Sequence, residues 1–473
     1  MLRIVLITSP ISLEDRYGRF SGAGSTEPSF ALACLAAVAL QEGMDVRIVD
    51  AAAENLSVRQ TVEQLEDFRP DVAGISSTTA GIAASGALAR SLKKFDQGII
   101  TIIGGCHVTA LPEETLAEYR HFDVAVLGEG EETFSEILKA ASANGNIPEN
   151  LPGTARRING RIVVNERHPL IDNLDRLPLP AWRLLQGFPE AFHPSPARMN
   201  RYPCASVVLS RGCPNRCAFC DRSVFGHRVR SYSPAYALNM FKDLARQFGV
   251  REILIEDDTF IILHSWIREF CERLIAENID VTWSCVGRAD RVTLDILKLM
   301  KQAGCWHISY GIESGDQRIL DAMNKNEDIA QIESAVRWSR DAGLKTKGFF
   351  MVGFPGETPE SLKLTKDLAL KLPLNDITVM QLTPFPGTAL YQHADEYGVL
   401  ERDWSKMNTL NTVFTPSGFT QRDMDEARSD MLKAFYFRPS IVAGKLMQAA
   451  SNPRLLRHMF KGFMALLSAV RSR

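Results

Sequence analysis

Residues 206–223 read SVVLSRGCPNRCAFCDRS, a short apolar strand running into a loop that carries Cys213, Cys217 and Cys220 in the spacing C-x3-C-x2-C. A regular alternation continues from there. A helical pattern over 234–248 leads to EILIEDD, one over 264–277 to DVTWSCVGR, one over 293–303 to HISYGIES, one over 329–342 to KTKGFFMVGFPGET, and one over 360–371 to DITVMQLTPFPGT. Six apolar strands separated by helices of 10 to 15 residues predict parallel βαβ units. Right-handed crossovers fold such units into a barrel or a (β/α)6 partial barrel of parallel strands, with chemistry at the carboxyl ends of the strands. The three cysteines occupy such an end.

The first 140 residues alternate in the same way: LRIVLIT, a helix within PSFALACLAAVALQEG, DVRIVD, DVAGISS, IITIIGG and DVAVLGEG, with helical patterns between. This predicts an N-terminal Rossmann-like α/β domain over 1–140, which binds ligands beyond its strand ends. Three of those ends are small or Gly-rich, GISSTTAG (74–81), IGGCHVT (103–109) and LGEGEETF (127–134), and form the expected rim. Residues 141–198 are rich in Pro, Asn and Gly and carry the turn dipeptide Asn159-Gly160 inside RRINGRIVVNE, so they are expected to be a linker. The barrel then spans 199–395, and 396–473 reads as C-terminal helices without strand signals.

Composition adds boundaries. The chain has 473 residues, 45% hydrophobic and 23% charged, with a formal net charge of −2. That length calls for several modules, and that charge gives no reason to expect nucleic acid as a partner. The nine cysteines are odd in number and scattered, unlike a disulfide framework, and the opening MLRIVLITSP lacks the pattern of a secretory signal. A reducing cytoplasm is the expected compartment. No run of about 18 apolar residues suggests a membrane span. From Lys433 onward there are eight Lys or Arg and no acid, beside Phe435, Leu446, Leu455, Phe460, Phe463 and Leu467, which reads as a basic amphipathic tail.

Three thiolates on one short loop can hold three corners of an iron–sulfur cubane and leave the fourth iron open to a ligand. The alternatives are a zinc site completed by a distant ligand, or thiols that are merely buried. Cys213, Cys217 and Cys220, with Phe219 directly before the third, resemble the signature of the radical S-adenosylmethionine (radical SAM) superfamily. The resemblance implies a 4Fe-4S cluster whose open iron binds the methionine part of S-adenosylmethionine, and reductive cleavage to a 5′-deoxyadenosyl radical that abstracts hydrogen from unactivated carbon. It also implies that Asp257 and Asp258, Arg288 and Glu313, each closing a barrel strand, line the S-adenosylmethionine or substrate pocket. A carboxylate there could bond ribose hydroxyls and a guanidinium the methionyl carboxylate, while the plainer reading of each acid is a helix cap. The turns MVGFPGET and TPFPGTAL also match superfamily patterns, though Gly and Pro there can simply shape turns.

The whole layout, with LDRLPLPAW in the linker, is similar to cobalamin-binding radical SAM enzymes, in particular the subgroup of the anaerobic magnesium-protoporphyrin IX monomethyl ester cyclase. By that resemblance Ser76 and Thr78, Gly104, Gly105 and His107, and Gly128, Glu129 and Gly130 belong to the loops that cradle cobalamin. The D-x-H-x-x-G motif is absent, so no axial histidine is expected, and His107 reads as a contact to the nucleotide part or as structural. The implied function is methyl transfer to an unactivated carbon, with cyclase-type ring formation or oxidation as the alternative, and a non-catalytic corrinoid or redox sensor as a reading from another class. A tRNA methylthiotransferase would need further cluster cysteines and a basic β-domain. The implied partners are a small-molecule substrate, lipid-like or tetrapyrrole if the tail contacts a membrane surface, and a low-potential donor such as flavodoxin or ferredoxin.

Overall fold

The computed structural model describes residues 1–195 and 198–451. Strands β1 (Arg3–Thr8), β2 (Asp45–Val49), β3 (Val72–Ser76), β4 (Ile100–Gly104) and β5 (Val124–Val126) form a parallel sheet in the order β2-β1-β3-β4-β5. Each strand is a short β-branched run buried on both faces, as a parallel sheet covered by helices requires. In this order the chain reverses direction across the sheet between β1 and β3. Their carboxyl ends, around Ser9 and Ser77, therefore diverge to leave a crevice.

The expected linker does more than connect. Its hairpin, β6 (Thr154–Ile158) and β7 (Arg161–Val164), adds two antiparallel strands to the edge at β5. The turn is Asn159-Gly160, both at positive φ, as a tight two-residue hairpin demands. Composition alone could not place it, because a hairpin carries the same turn residues whether it stands free or joins a sheet.

The second sheet is wholly parallel: β8 (Cys204–Val207), then after the small hairpin β9 (Ser210–Arg211) and β10 (Arg230–Ser231), β11 (Glu252–Ile255), β12 (Thr282–Gly287), β13 (Cys305–Glu313), β14 (Lys345–Val352) and β15 (Asp376–Gln381). The six main strands follow the order β8-β11-β12-β13-β14-β15 without closing, as the partial barrel predicts. One face carries Val207, Ile255, Cys285 and Ile308 in register against the helices, and the other carries Ser206, Ser284, His307, Ser309 and Lys347. The helix expected at 264–277 spans His264–Glu277 and buries Ile267, Phe270, Cys271 and Leu274.

The expectation of helices alone after 396 is corrected. β16 (Gly398–Leu400) and β17 (Phe414–Pro416) form an antiparallel pair before the helix Gln421–Tyr436. Three-residue strands are too short to show a period. No described helix is long and apolar enough to cross a membrane. Phe435 is buried. Leu455, Phe460, Phe463 and Leu467 of the basic tail lie outside the described residues.

Candidate active site

The cysteine loop is held from beneath by the two aspartates that close β11. Asp257 accepts hydrogen bonds from the Leu209 N–H (2.7 Å) and the Ser210 hydroxyl (2.5 Å), and Asp258 accepts one from the Gly212 N–H (3.0 Å). Burial pushes the Asp257 carboxyl up to about 7, against those two donors. Gly212 sits at φ 88, where an added Cβ would meet the Arg228 carbonyl oxygen at 2.4 Å, so the loop can enter only through glycine. These contacts aim Cys213, Cys217 and Cys220 at the strand ends. Phe219 packs half-buried on the core between them.

The thiols have different surroundings. Cys217 is buried, Cys213 half-buried and Cys220 exposed. Burial raises the Cys217 thiol, with Lys325 and Arg288 opposing. Bound iron would reverse that balance, since a coordinated thiol gives up its proton. Among the described residues no group of three His, Cys, Asp or Glu is set to hold a single metal ion.

Beside Cys217 lies a buried ionic cluster. Arg288 bonds Asp290 Oδ1 through Nε (2.9 Å) and the Lys325 carbonyl (2.7 Å), and its third nitrogen lies 3.9 Å from Cys217 Sγ. Lys325 Nζ stands between Glu327 (3.3 Å) and Glu313 (3.7 Å). Burial works against the Lys325 ammonium, but the two glutamates outweigh it and raise its pKa. Burial raises Glu313 as well, and its Oε2 has no hydrogen-bond partner. An orphaned carboxylate oxygen at a strand end is costly unless a ligand supplies the donor, so Glu313 fits S-adenosylmethionine. Lys325 and Glu327 were not singled out from sequence. Their only signal is the loop NKNE, whose Asn324 and Asn326 both take positive φ.

Between the first sheet and the cysteine loop lies a cleft of about 440 Å³ lined by Ile11, Arg16, Tyr17, Thr78, Thr79, Ala80, Cys106, Asp221, Phe385, Pro386 and Met407–Thr409. It opens at the β1/β3 crevice of the first sheet and reaches Asp221, next to Cys220, and the last barrel turn. Of the rim residues expected from sequence, Thr78 lines it. The Ser76 carbonyl accepts from the Ser9 N–H (3.1 Å). Gly104 ends β4, and Gly105, at φ 117, lets the chain pass Ser77, whose carbonyl oxygen would lie 2.2 Å from an added Cβ. His107 is buried, with Nδ1 3.4 Å from Thr79 Oγ1 and its ring edge-on to Trp404 at 5.0 Å, and burial lowers it to about 4. It is a neutral packing group in this setting. Gly128 donates its N–H to Thr109 (3.1 Å), and Gly130 starts the helix Gly130–Asn144. Glu129 is engaged elsewhere: its buried carboxylate pairs with Arg211 (2.8 Å) and Arg230 (2.7 Å) and accepts the Ile171 N–H (2.8 Å), tying the two sheets together.

Small, hydroxyl-bearing strand ends around an open cleft fit a bulky corrin, and no histidine is presented to it as an axial ligand among the residues that line it. Arg16, Tyr17 and Met407–Thr409 escaped sequence reasoning because they come from an irregular loop and a distant segment.

Comparison with known proteins agrees. Residues 21–138 match the B12 binding domain and residues 207–369 the Radical SAM superfamily. An uncharacterized methyltransferase of Pyrococcus horikoshii is 32% identical over 89% of this chain and 90% of its own. The chain belongs to the cobalamin-binding radical SAM family. The anaerobic magnesium-protoporphyrin IX monomethyl ester cyclase of Cereibacter sphaeroides is 27% identical over 93% of this chain and 72% of that protein. The structure of the cobalamin-dependent S-adenosylmethionine radical enzyme OxsB shares the fold, with a TM-score of 0.74 at 17% identity over 97% of this chain and 72% of that one. As a member of the family the chain is a radical SAM enzyme whose cofactors are a 4Fe-4S cluster, S-adenosylmethionine and cobalamin.

Proposed function

We propose that the chain is a methyltransferase that modifies an unactivated carbon of a small-molecule substrate. The observation that carries this reading is a cleft lined both by the β1/β3 loops, Thr78 to Ala80, and by Asp221 beside the cysteine loop. Cobalamin and S-adenosylmethionine supply, when bound, a transferable methyl group and a carbon-centred radical. Cys213, Cys217 and Cys220 would hold the cluster, and Phe219 would pack beside it. Asp257 and Asp258 keep that loop in place, and Glu313 offers its free carboxylate oxygen to a donor of S-adenosylmethionine. Ser76, Thr78, Gly104, Gly105, Gly128 and Gly130 shape the corrin side, and the Tyr17 and Met407 side chains screen the cleft from water. Anaerobic incubation with methyl-labelled S-adenosylmethionine tests the reading. Label in bound corrinoid and S-adenosylhomocysteine in solution support it; 5′-deoxyadenosine alone, without label transfer, removes it.

Cyclase-type oxidation or ring formation is the second reading, favoured by the 27% identity to the magnesium-protoporphyrin cyclase over nearly the whole chain. Either chemistry needs a low-potential electron donor of the flavodoxin or ferredoxin type. We also propose a cytoplasmic enzyme that touches the inner membrane surface through its tail, which would suit a lipid-like or tetrapyrrole substrate. Phe437, Val442 and Met447 stand 52%, 42% and 68% exposed in the first part of the basic segment. Flotation with anionic liposomes tests this: recovery of the full chain with the lipid, lost on truncation after Pro439, supports it, and equal recovery without lipid removes it.

A further inference from the structure

Resting on the cluster reading above, we propose that Arg288 sets the reduction potential of the cluster through the Cys217 sulfur, and that Glu327 is its built-in counterweight. The guanidinium is fixed on two sides. Nε faces Asp290 Oδ1 at 2.9 Å and Glu327 Oε1 at 3.4 Å, and a terminal nitrogen donates to the Lys325 carbonyl at 2.7 Å. Those contacts orient the remaining nitrogen toward Cys217 Sγ, 3.9 Å away, a long N–H to sulfur contact whose effect is chiefly that of the nearby charge. The residue is 9% exposed, so water screens this contact weakly.

The three sulfurs are not equivalent. Among the described residues Cys213 receives the neutral Asn215 amide at 3.3 Å, whereas Cys217 faces two buried cations, Lys325 and Arg288, of which Arg288 alone is aimed at its sulfur as a donor. Hydrogen bonds to the sulfurs and nearby net charge are the levers a protein has on cluster potential. Reduction adds one electron from a flavin or iron–sulfur donor and neither makes nor breaks a bond, so a cation on Cys217 favours the reduced cluster. Glu327 opposes this. Its side chain is fully buried, Oε1 accepts the Ala289 N–H (3.0 Å), and its charge lies against both Arg288 and Lys325. An anion buried behind a cation holds the cation in place and moderates the field it exerts.

Arg288 is therefore a positioning residue for the redox step, and its test is a potential. The reconstituted wild-type cluster and the Arg288→Gln, Arg288→Lys and Glu327→Gln variants are titrated by dithionite with EPR detection, without S-adenosylmethionine. Arg288→Gln is expected to lower the ratio of reduced to oxidised cluster at fixed potential at least tenfold, which for a one-electron couple is 59 mV. Glu327→Gln is expected to move the midpoint upward, and Arg288→Lys to stay near wild type. Unmoved midpoints in both charge-changing variants, or shifts of the same sign, overturn the proposal. If Arg288→Gln fails to hold a cluster, Glu327→Gln decides alone: an upward shift supports the proposal, and no shift or a fall overturns it. A wild-type protein that binds no cluster sinks this inference and the proposed function together. One that cleaves S-adenosylmethionine while the variant midpoints stay put sinks this inference alone.

Discussion

Glu129 offers the sharpest test of how the two sheets are joined. Its side chain is 5% exposed and accepts from Arg211 at 2.8 Å, Arg230 at 2.7 Å and the Ile171 N–H at 2.8 Å. Arg211 keeps Glu131, at 2.5 Å, if Glu129 is removed, but Arg230 keeps only the carbonyls of Ile171 and Phe225. Glu129→Ala therefore leaves a buried guanidinium without a counter-charge, and breaking a buried pair in this way costs about 3–5 kcal/mol. The exposed pair Arg228–Asp172, whose side chains are 62% and 76% exposed, is an internal control, because a solvated pair contributes little. Guanidinium unfolding of the cofactor-free chain, followed by tryptophan fluorescence, should show a large midpoint fall for Glu129→Ala and almost none for Asp172→Asn. Arg211 and Arg230 belong to the hairpin that brackets the cysteine loop, so Glu129→Ala should also hold less iron after reconstitution. A loss under about 1 kcal/mol for Glu129→Ala would refute the argument that this carboxylate ties the sheets.

Burial holds Glu357 up at about 8, although its Oε2 accepts the Gly353 N–H at 2.7 Å. A carboxyl raised in the folded state adds stability that is complete below its unfolded pKa of 4.5 and is lost as pH rises through about 8. Glu357→Gln should thus cost little at pH 6 and flatten the decline of melting temperature between pH 6 and 9; an unchanged slope would contradict the assignment. Gly105→Ala forces a Cβ to within 2.2 Å of the Ser77 carbonyl at φ 117, so it should lower the melting temperature and corrinoid retention together, and wild-type values for both would contradict the close approach. Asp257→Asn should loosen the cysteine loop, because the amide can accept from only one of Leu209 and Ser210 without turning its own donors inward; reduced iron content at unchanged secondary structure is the expected result.

The fold was legible where physical signals are local. Strand–helix alternation placed six barrel strands, and the helix His264–Glu277 matched its expected span, because burial of one face leaves a period in the sequence. The β6–β7 hairpin and the β16–β17 pair were not legible, since nothing local says which sheet edge a turn-rich segment will join. The site divided in the same way. The cysteines are adjacent in sequence and announce themselves. Lys325 and Glu327 matter only because folding brings a loop 37 residues after Arg288 to its side, as the bond to the Lys325 carbonyl records. Glu129 shows the converse, for its Gly-rich context looks like a cofactor loop while its partners Arg211 and Arg230 lie about eighty and a hundred residues away.

The proposed methyl transfer requires that a cluster on Cys213, Cys217 and Cys220 and a corrinoid on the first sheet be bound by the same chain. Anaerobic reconstitution with iron, sulfide and hydroxocobalamin, followed by S-adenosylmethionine and dithionite, tests it by chromatography of products and bound corrinoid. The wild-type chain should retain corrinoid and form 5′-deoxyadenosine and S-adenosylhomocysteine, and Cys217→Ala should retain corrinoid but form no 5′-deoxyadenosine. Equal 5′-deoxyadenosine from wild type and Cys217→Ala, or a wild-type chain that binds no corrinoid, would contradict it.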